Sequence, residues 1–264
     1  MGVVDPLYDE IGRRYSRRRR ADPRIAAALW RALGDAEDVV NVGAGTGAYE
    51  PDDREVVAVE PSAVMIAQRA AGSAAVVQAA AEQLPLADNS VDAAMSVFSD
   101  HHWSDRRAGL QEMLRVARRR VVLLNADPWV ATRFWLTREY LPEFVDLVPA
   151  RWRERGHWQR ELRSVLGEVR LGVVPVPYDC LDGFYQAYWR RPHAYLELEV
   201  RDTISVFHRI DDEYVNRAVE HLRADLDSGD WQRRHAGLLA RTHIDVGLRV
   251  VVADARATRL PTAD

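Results

Sequence analysis

Residues 39–47 run from Val39, Val40, Asn41 and Val42 into glycine at alternate positions, Gly43, Gly45 and Gly47. Glycine reaches positive φ without steric cost and lets a ligand approach the backbone closely. A plain turn between strand and helix would use glycine too. A second β-branched run, Val56, Val57, Ala58 and Val59, ends at Glu60. A carboxylate at the carboxyl edge of a sheet, beside such a loop, can accept hydrogen bonds from both hydroxyls of a ribose. Farther along, His101 and His102 stand between Asp100 and Trp103. An imidazole has the pKa of a general base for work near neutrality. The competing reading is a structural turn in which Trp103 packs beneath the next helix and the histidines bond to backbone. A metal site is not expected, because three adjacent side chains seldom converge on one ion without ligands from elsewhere.

The segment between glycine loop and second strand narrows the ligand. Residues 48–54 include Glu50, Pro51, Asp52 and Asp53, too few and too rich in helix breakers for a full helix. Dinucleotide sites usually read G-x-G-x-x-G and rest a pyrophosphate on the amino end of a following helix, where Glu50 would repel it. The ligand is therefore expected to carry adenosine without pyrophosphate. S-adenosylmethionine meets that requirement, with NAD as the alternative cofactor.

These residues need a sheet to hold them. Short β-branched runs at residues 39–42, 56–59, 75–77, 91–98 and 121–124 alternate with helical or loop segments, and two more, at 169–176 and 246–253, follow. This alternation predicts a mostly parallel sheet. Helices are expected within residues 8–33, where Asp22 caps, Pro23 fits the first turn, Ile25, Leu29 and Leu33 share a face, and Gly34 terminates. Another is expected over residues 105–119, with Leu110, Met113, Leu114 and Ala117 facing the sheet. Helical stretches at residues 129–166 and 182–241 are too long for connections and are expected to cap the sheet's carboxyl edge. Residues 179–192 mix rings and arginines at its rim. Tyr185, Tyr188 and Arg190 are the candidates there for a planar or acidic acceptor, against the reading that these rings form the cap's own core.

The chain has 264 residues, 47% hydrophobic and 29% charged, with a net charge of −4. That suits one enlarged α/β domain, and the mild negative charge argues against a nucleic-acid partner, although Arg17, Arg18, Arg19 and Arg20 form a local basic run. Every basic residue other than histidine is arginine, a bias we attribute to genome composition. No apolar run reaches membrane-spanning length, and residues 1–10 lack the pattern of a secretory signal, so a cytoplasmic protein without a membrane partner is expected. The lone Cys180 is read as structural.

Taken together, residues 41–47, 57–62, 81–92 and 101–103 resemble class I S-adenosylmethionine-dependent methyltransferases, especially the branch of ubiquinone and menaquinone biosynthesis enzymes and small-molecule methyltransferases. The resemblance covers about residues 8–127. It implies an α/β Rossmann-like fold with a mostly parallel seven-stranded sheet and helical cap insertions: residues 1–128 as cofactor-binding core, residues 129–264 as cap plus the last two strands. It further implies that Gly43, Gly45 and Gly47 line the methionine portion of the cofactor and that Glu60 holds the ribose. Pro61, Ser62 and Met65 lie near the adenine, Ser62 being alternatively a helix cap. The segment before Leu84 and Pro85 often supplies the family with an acid for the adenine amino group; the commonest such position is Ala80 here, followed by Ala81 and Glu82, and Phe98 joins the cofactor pocket. Asn41 replaces the acid frequent at the end of the first strand. Tyr15 and Arg20 belong to a closing helix, with Arg20 pairing the cofactor carboxylate. His101 or His102 serves as base where an acceptor needs one. The expected activity is methylation of oxygen, nitrogen or carbon on a small molecule, with a homodimer allowed. The alternative is a protein that keeps the fold and cofactor but transfers no methyl group.

Overall fold

The structure is a computed structural model that describes residues 19–255. Its strands are β1 (Asp38–Val42), β2 (Glu55–Val59), β3 (Ala75–Val77), β4 (Val91–Val97), β5 (Ala117–Ala126), β6 (Val169–Val173), β7 (Val176–Pro177), β8 (His243–Ile244) and β9 (Leu248–Asp254). Seven of them form one sheet in the order β3-β2-β1-β4-β5-β9-β6, while β7 and β8 pair separately. The first five are parallel, and β9 runs antiparallel between β5 and β6. Strands covered on both faces must be apolar almost throughout. Val39, Val40 and Val42 of β1 and Val121, Val122, Leu123 and Leu124 of β5 are accordingly buried. The chain winds outward from β1 through β2 and β3, then returns to place β4 on the other flank of β1. This reversal leaves a crevice beyond the carboxyl ends of β1 and β4, where open α/β sheets take ligands.

Helix α1 (Pro23–Leu33) starts as its sequence predicts. Asp22 accepts from the Arg24 amide at 3.0 Å, Pro23 fills the first turn, and Gly34 ends the helix at φ 60°. Its buried face is Ile25, Ala26, Leu29 and Leu33. Between β1 and β2 there is no helix, whereas Ser62 caps the single turn α2 (Ala63–Ile66).

Helix α3 (Arg106–Val116) stops short of the expected end at residue 119. Ala117 turns extended, with ψ 128°, and Arg118, Arg119 and Arg120 enter β5. Pairing of Arg120 with Ala93 on one side and Asp254 on the other outweighs the helical preference of arginine. Asp38, Asp92 and Asp35 hold the three guanidinium groups at the sheet's lower edge.

The cap differs from the expected long helices. Only α4 (His157–Leu166) and α5 (Asp212–Asp227) exceed two turns, because Pro128, Pro142, Pro149 and Pro192 break the rest into single turns. The pieces are joined by aromatic packing. Trp135 lies edge-on to Trp231 at 5.2 Å and donates its Nε1–H to the Trp189 carbonyl at 3.0 Å. No described helix is long and apolar enough to cross a membrane.

Two buried carboxylates tie these layers together. Asp22 accepts from Arg24 and from the Leu181 amide at 3.0 Å, joining α1 to the cap. Asp182 accepts from Arg19 Nε at 2.7 Å, from the Tyr49 hydroxyl at 2.9 Å and from the Gly183 amide at 2.7 Å. Burial works to raise the Asp22 carboxyl, but the Arg24 side chain and the Leu181 and Arg24 amides prevail and hold it down at about 2. Substituting Asp22→Ala strands these donors and is expected to cost about 2 kcal/mol, or roughly 4–8 °C in melting temperature. Because the folded state lowers this pKa from 3.8 to about 2, the stabilisation is complete above pH 4 and fades between about 4 and 2. Thermal unfolding of wild type and variant across that range checks both statements; a constant difference refutes the second.

Candidate active site

The crevice holds two adjoining spaces. The smaller, about 140 Å³, lies over the glycine loop and is bounded by Asn41, Gly43, Gly45, Glu60, Met65 and Phe98 among others. The larger, about 650 Å³, lies between the ends of β4 and β5 and the cap. Arg19, Phe98, His102, Trp103 and Ser104 border both.

The loop after β1 turns at three glycines of positive φ, and at Gly43 there is no room for a side chain. Gly43 has φ 67°, and a Cβ there would fall 1.8 Å from Ser99 Oγ, which also accepts from Trp103 Nε1 at 3.0 Å. Gly45 has φ 53° and offers its amide to Glu60 Oε2 at 2.7 Å. Gly47 turns the loop at φ 83° but does not line the cleft, contrary to expectation; it packs against the buried Glu50–Arg69 ion pair, 2.6 Å between charged atoms. That ion pair supports the loop from behind, with Arg69 also donating to the Gly45 carbonyl at 3.2 Å.

Glu60 is buried where β2 ends. Its second oxygen accepts from the Ser62 amide at 3.0 Å. Burial raises the Glu60 carboxyl, opposed by the Ser62 and Gly45 amides and by the charge of Arg69. Each oxygen accepts one backbone bond and keeps a second lone pair. Asn41 donates to Glu50 at 3.1 Å, while its buried Oδ1 has no donor among the described residues. A buried acceptor without a partner carries a free-energy penalty that a ligand donor relieves. Ser62 both caps α2, accepting from the Met65 amide at 3.3 Å, and lines the cleft with Pro61, Met65 and Ala81. Glu82 lines it too, although its carboxylate is engaged by Ser104 and the Asp105 amide at 2.9 and 3.0 Å. The acceptors of Asn41 and Glu60 and the glycine loop fit S-adenosylmethionine, whose tail carries an ammonium and whose ribose carries two hydroxyls.

Phe98 divides the two spaces. Its φ of 50° lies in the left-handed region, which non-glycine residues adopt at a cost and which often marks functional sites. Phe184 stacks on it at 5.2 Å, Tyr49 meets it edge-on at 6.4 Å, and the Arg19 guanidinium lies over the ring at 5.3 Å. Arg19, not the expected Arg20, therefore faces the crevice. Arg20 is exposed and borders neither space, because the pairing with Asp182 selects the neighbouring side chain. Tyr15 lies outside the described residues.

The histidines follow β4 on a 3₁₀ turn, Asp100–His102, their rings 3.8 Å apart. His101 opens on the larger space, and His102 borders both. His101 is exposed and His102 half-buried, with neighbouring protein packed about both rings. Desolvation by that packing pushes His101 down to about 4, partly offset by Asp100, and drives His102 well below its ordinary value, with the neighbouring His101 and Arg209 adding to the effect. Both are neutral at pH 7. Asn125 assigns the His101 tautomer. Its Oδ1 accepts from the Ala126 amide at 2.8 Å, so its Nδ2 faces Asp100 and, at 3.2 Å, His101 Nδ1. Nδ1 is thus an acceptor and Nε2 carries the hydrogen. Asp100 is in turn held by Arg106 at 2.8 Å, which also reaches Glu161 at 3.0 Å. Trp103 packs its ring against Gly109 of α3, where a Cβ would fall 2.3 Å from it. It is at once a structural prop and a wall.

The cap candidates divide. Tyr185 borders the larger space, stacked on Phe144 at 4.9 Å and hydrogen-bonded to Thr137 at 3.2 Å. Tyr188 and Arg190 border neither space, correcting the expectation. Tyr188 is buried in the cap's own core beside Tyr195, and Arg190 turns outward over Tyr178 and donates to the Arg241 carbonyl. Residues with no distinctive sequence signal complete the site: Asn125, Arg106, Glu161 and Arg209. Among the described residues no group of three or more His, Cys, Asp or Glu is arranged to hold a metal. Cys180 is buried, and burial pushes its thiol up to about 12.

The geometry agrees with what the chain is similar to. A family described as a methyltransferase domain matches residues 40–124, the stretch from β1 to β5. The chain belongs to the class I S-adenosylmethionine-dependent methyltransferases. A crystal structure of a protein described as a methyltransferase from an antibiotic biosynthesis pathway of Anabaena variabilis superposes with a TM-score of 0.80 at 32% identity, over 89% of this chain and 98% of that one. The demethylmenaquinone methyltransferase of Beutenbergia cavernae is 35% identical over 143 residues, 48% of this chain and 60% of that relative, so the match spans less than two thirds of its length.

Replacing Glu60→Ala removes two acceptor oxygens from the cleft and is expected to weaken S-adenosylmethionine roughly 10- to 100-fold, the range for bonds to a charged group. Gly43→Val, which must displace Ser99, is expected to abolish binding. Isothermal calorimetry on folded variants is the check; wild-type affinity in either removes that residue from the cofactor site.

Proposed function

We propose that this protein methylates a small molecule held in the larger space, on an oxygen, nitrogen or carbon atom. The observation that carries the reading is the junction itself: a cleft suited to adenosine adjoins, across Phe98 and His102, a chamber with aromatic residues in its wall and the cap over it. When bound, S-adenosylmethionine supplies an electrophilic methyl group on a sulfonium centre. Glu60 would hold the ribose hydroxyls, Asn41 the ammonium, and Pro61, Met65 and Ala81 the adenine surroundings. The protein's remaining work is alignment and exclusion of water, which the cap and the stacked Phe98–Phe184 pair perform.

Where the acceptor must lose a proton, His102 is the better placed base, since it stands at the boundary between the spaces. His101, with Nε2 protonated, donates a hydrogen bond and positions the acceptor. A base of lowered pKa is always unprotonated near neutrality and works best on an acidic hydroxyl. The relative assigned to antibiotic biosynthesis supports a role in specialised metabolism. The menaquinone-type relative instead suggests a quinol-like acceptor, over a shorter match.

Release of S-adenosylhomocysteine in step with a methylated product, from a panel of small phenols, acids and amines, tests the reading. Cofactor binding without transfer to any of them would favour the non-methylating alternative. Nuclear magnetic resonance titration of the histidine ring protons is expected to place His101 at about 4. Since its folded value lies below the 6.5 of an unperturbed histidine, its neutral form favours folding above pH 6.5, and this contribution is lost as pH falls toward 4. A midpoint near 6.5 would refute that.

A further inference from the structure

The larger space has a charge pattern that the transfer reaction does not require. Five arginines border it: Arg19, Arg106, Arg107, Arg151 and Arg209. Three are neutralised. Arg19 pairs with Asp182, Arg106 with Asp100 and Glu161, and Arg151 with Glu161. The acids of the same wall are consumed by these pairs, and Asp105 is occupied in capping α3 at the Ala108 amide, 3.0 Å. Arg107 and Arg209 have no side-chain hydrogen bond or ion pair among the described residues. Arg209 differs from Arg107 in position. It closes the 3₁₀ turn Ser205–His208 on the cap side, and its charge reaches both His101 and His102, contributing to the lowering of each.

Much of the rest of the lining is apolar, although Ser104, Asn125, Gln186 and Ser205 also border the space. Phe98, Phe144, Trp152 and Phe184 contribute aromatic rings to it, with Ile204 and Val206 beside them. Aromatic surface favours a planar partner, and the exposed guanidinium of Arg209 carries a charge at the chamber wall that an anion can pair with. At about 650 Å³ the chamber falls within the range of sites for metabolite-sized ligands.

We propose that the acceptor is a planar aromatic anion, its rings among Phe98, Phe144, Trp152 and Phe184 and its negative group against the guanidinium of Arg209. This rests on the reading of the larger space as the acceptor chamber. Arg209 is then a specificity-determining residue. It orients the ring so that the accepting atom lies toward His102 and the cofactor cleft, while the protonated Nε2 of His101 is a second donor in the same chamber.

The test uses three probes titrated calorimetrically into protein saturated with S-adenosylhomocysteine: 2-naphthoate, its neutral isostere 2-naphthamide, and the non-planar anion cyclohexanecarboxylate. Naphthoate is expected to bind at one site, about tenfold or more tighter than either control, the ratio corresponding to one charge-assisted bond or one stacked ring. Arg209→Gln is expected to lower naphthoate affinity about tenfold, to leave naphthamide unchanged and, since Arg209 does not border the cofactor cleft, to leave S-adenosylhomocysteine unchanged. Arg209→Lys is expected to retain part of the preference for the anion. Equal binding of acid and amide, an unaltered preference in Arg209→Gln, or no binding of any probe at millimolar concentration overturns the proposal. S-adenosylhomocysteine affinity is read separately on the same protein. Its absence with naphthoate binding intact would sink the methyl-transfer reading and leave the anion site standing.

Discussion

A single buried carboxylate sets how the two halves of this protein meet. Asp182 sits in the cap with almost none of its surface exposed, and it accepts from Arg19 ahead of α1, from Tyr49 after the glycine loop and from its own neighbouring amide. A charge withdrawn from water in this way is tolerated only when it is paired and fully hydrogen-bonded. All three segments must therefore be in place at once. The consequence reaches the ligand spaces through Phe98, which Arg19 covers from one side and Phe184, two residues from Asp182, stacks against. The left-handed backbone of Phe98 persists because these contacts over-determine it.

The sheet supplies the other half of the argument. Reversal of strand order at β1 brings the ends of three parallel strands to one crevice, so that Asn41, Glu60 and Ser99 face each other although no two are close in sequence. Each does a different job. Glu60 ties the glycine loop to α2 by accepting from Gly45 and Ser62, Ser99 fills the space that Gly43 leaves, and Asn41 offers an acceptor that the protein does not use. The unused acceptor and the strained Phe98 each cost local stability, and both line the cleft.

The chamber above the histidines shows how burial changes the chemistry of ordinary groups. Two imidazoles in contact, within reach of Arg209, cannot readily both charge, and the protein packed about them lowers both. The chain Asn125, Asp100, Arg106 and Glu161 then orients His101 and neutralises the acids of the wall. What is left exposed to an acceptor is neutral imidazole, aromatic surface and an uncompensated guanidinium.

The sequence alone determined the seven strands of the main sheet, though not the split of residues 169–176 into β6 and β7 or the short β8, and with them the helix α1 with its Asp22 cap and Gly34 stop, the glycine loop and Glu60. These depend on local pattern: β-branched runs, capping side chains, and glycine where the backbone must turn tightly. The resemblance to class I methyltransferases rests on the same local stretches. Other features were decided only by contacts between residues far apart in the chain. The choice of Arg19 over Arg20 depends on Asp182, 163 residues away. Tyr188 and Arg190 turn from the chamber while Tyr185 remains, because the cap is cut into short turns whose facing is set by packing around Trp135, Trp189 and Trp231 rather than by a helical period. Helix α3 ends early because β4 and β9 claim Arg120 from either side. Asn125, Arg106 and Arg209 carry no local signature. Their roles exist only once β5, α3 and the cap enclose one space, since a polar side chain acquires its chemistry from what surrounds it.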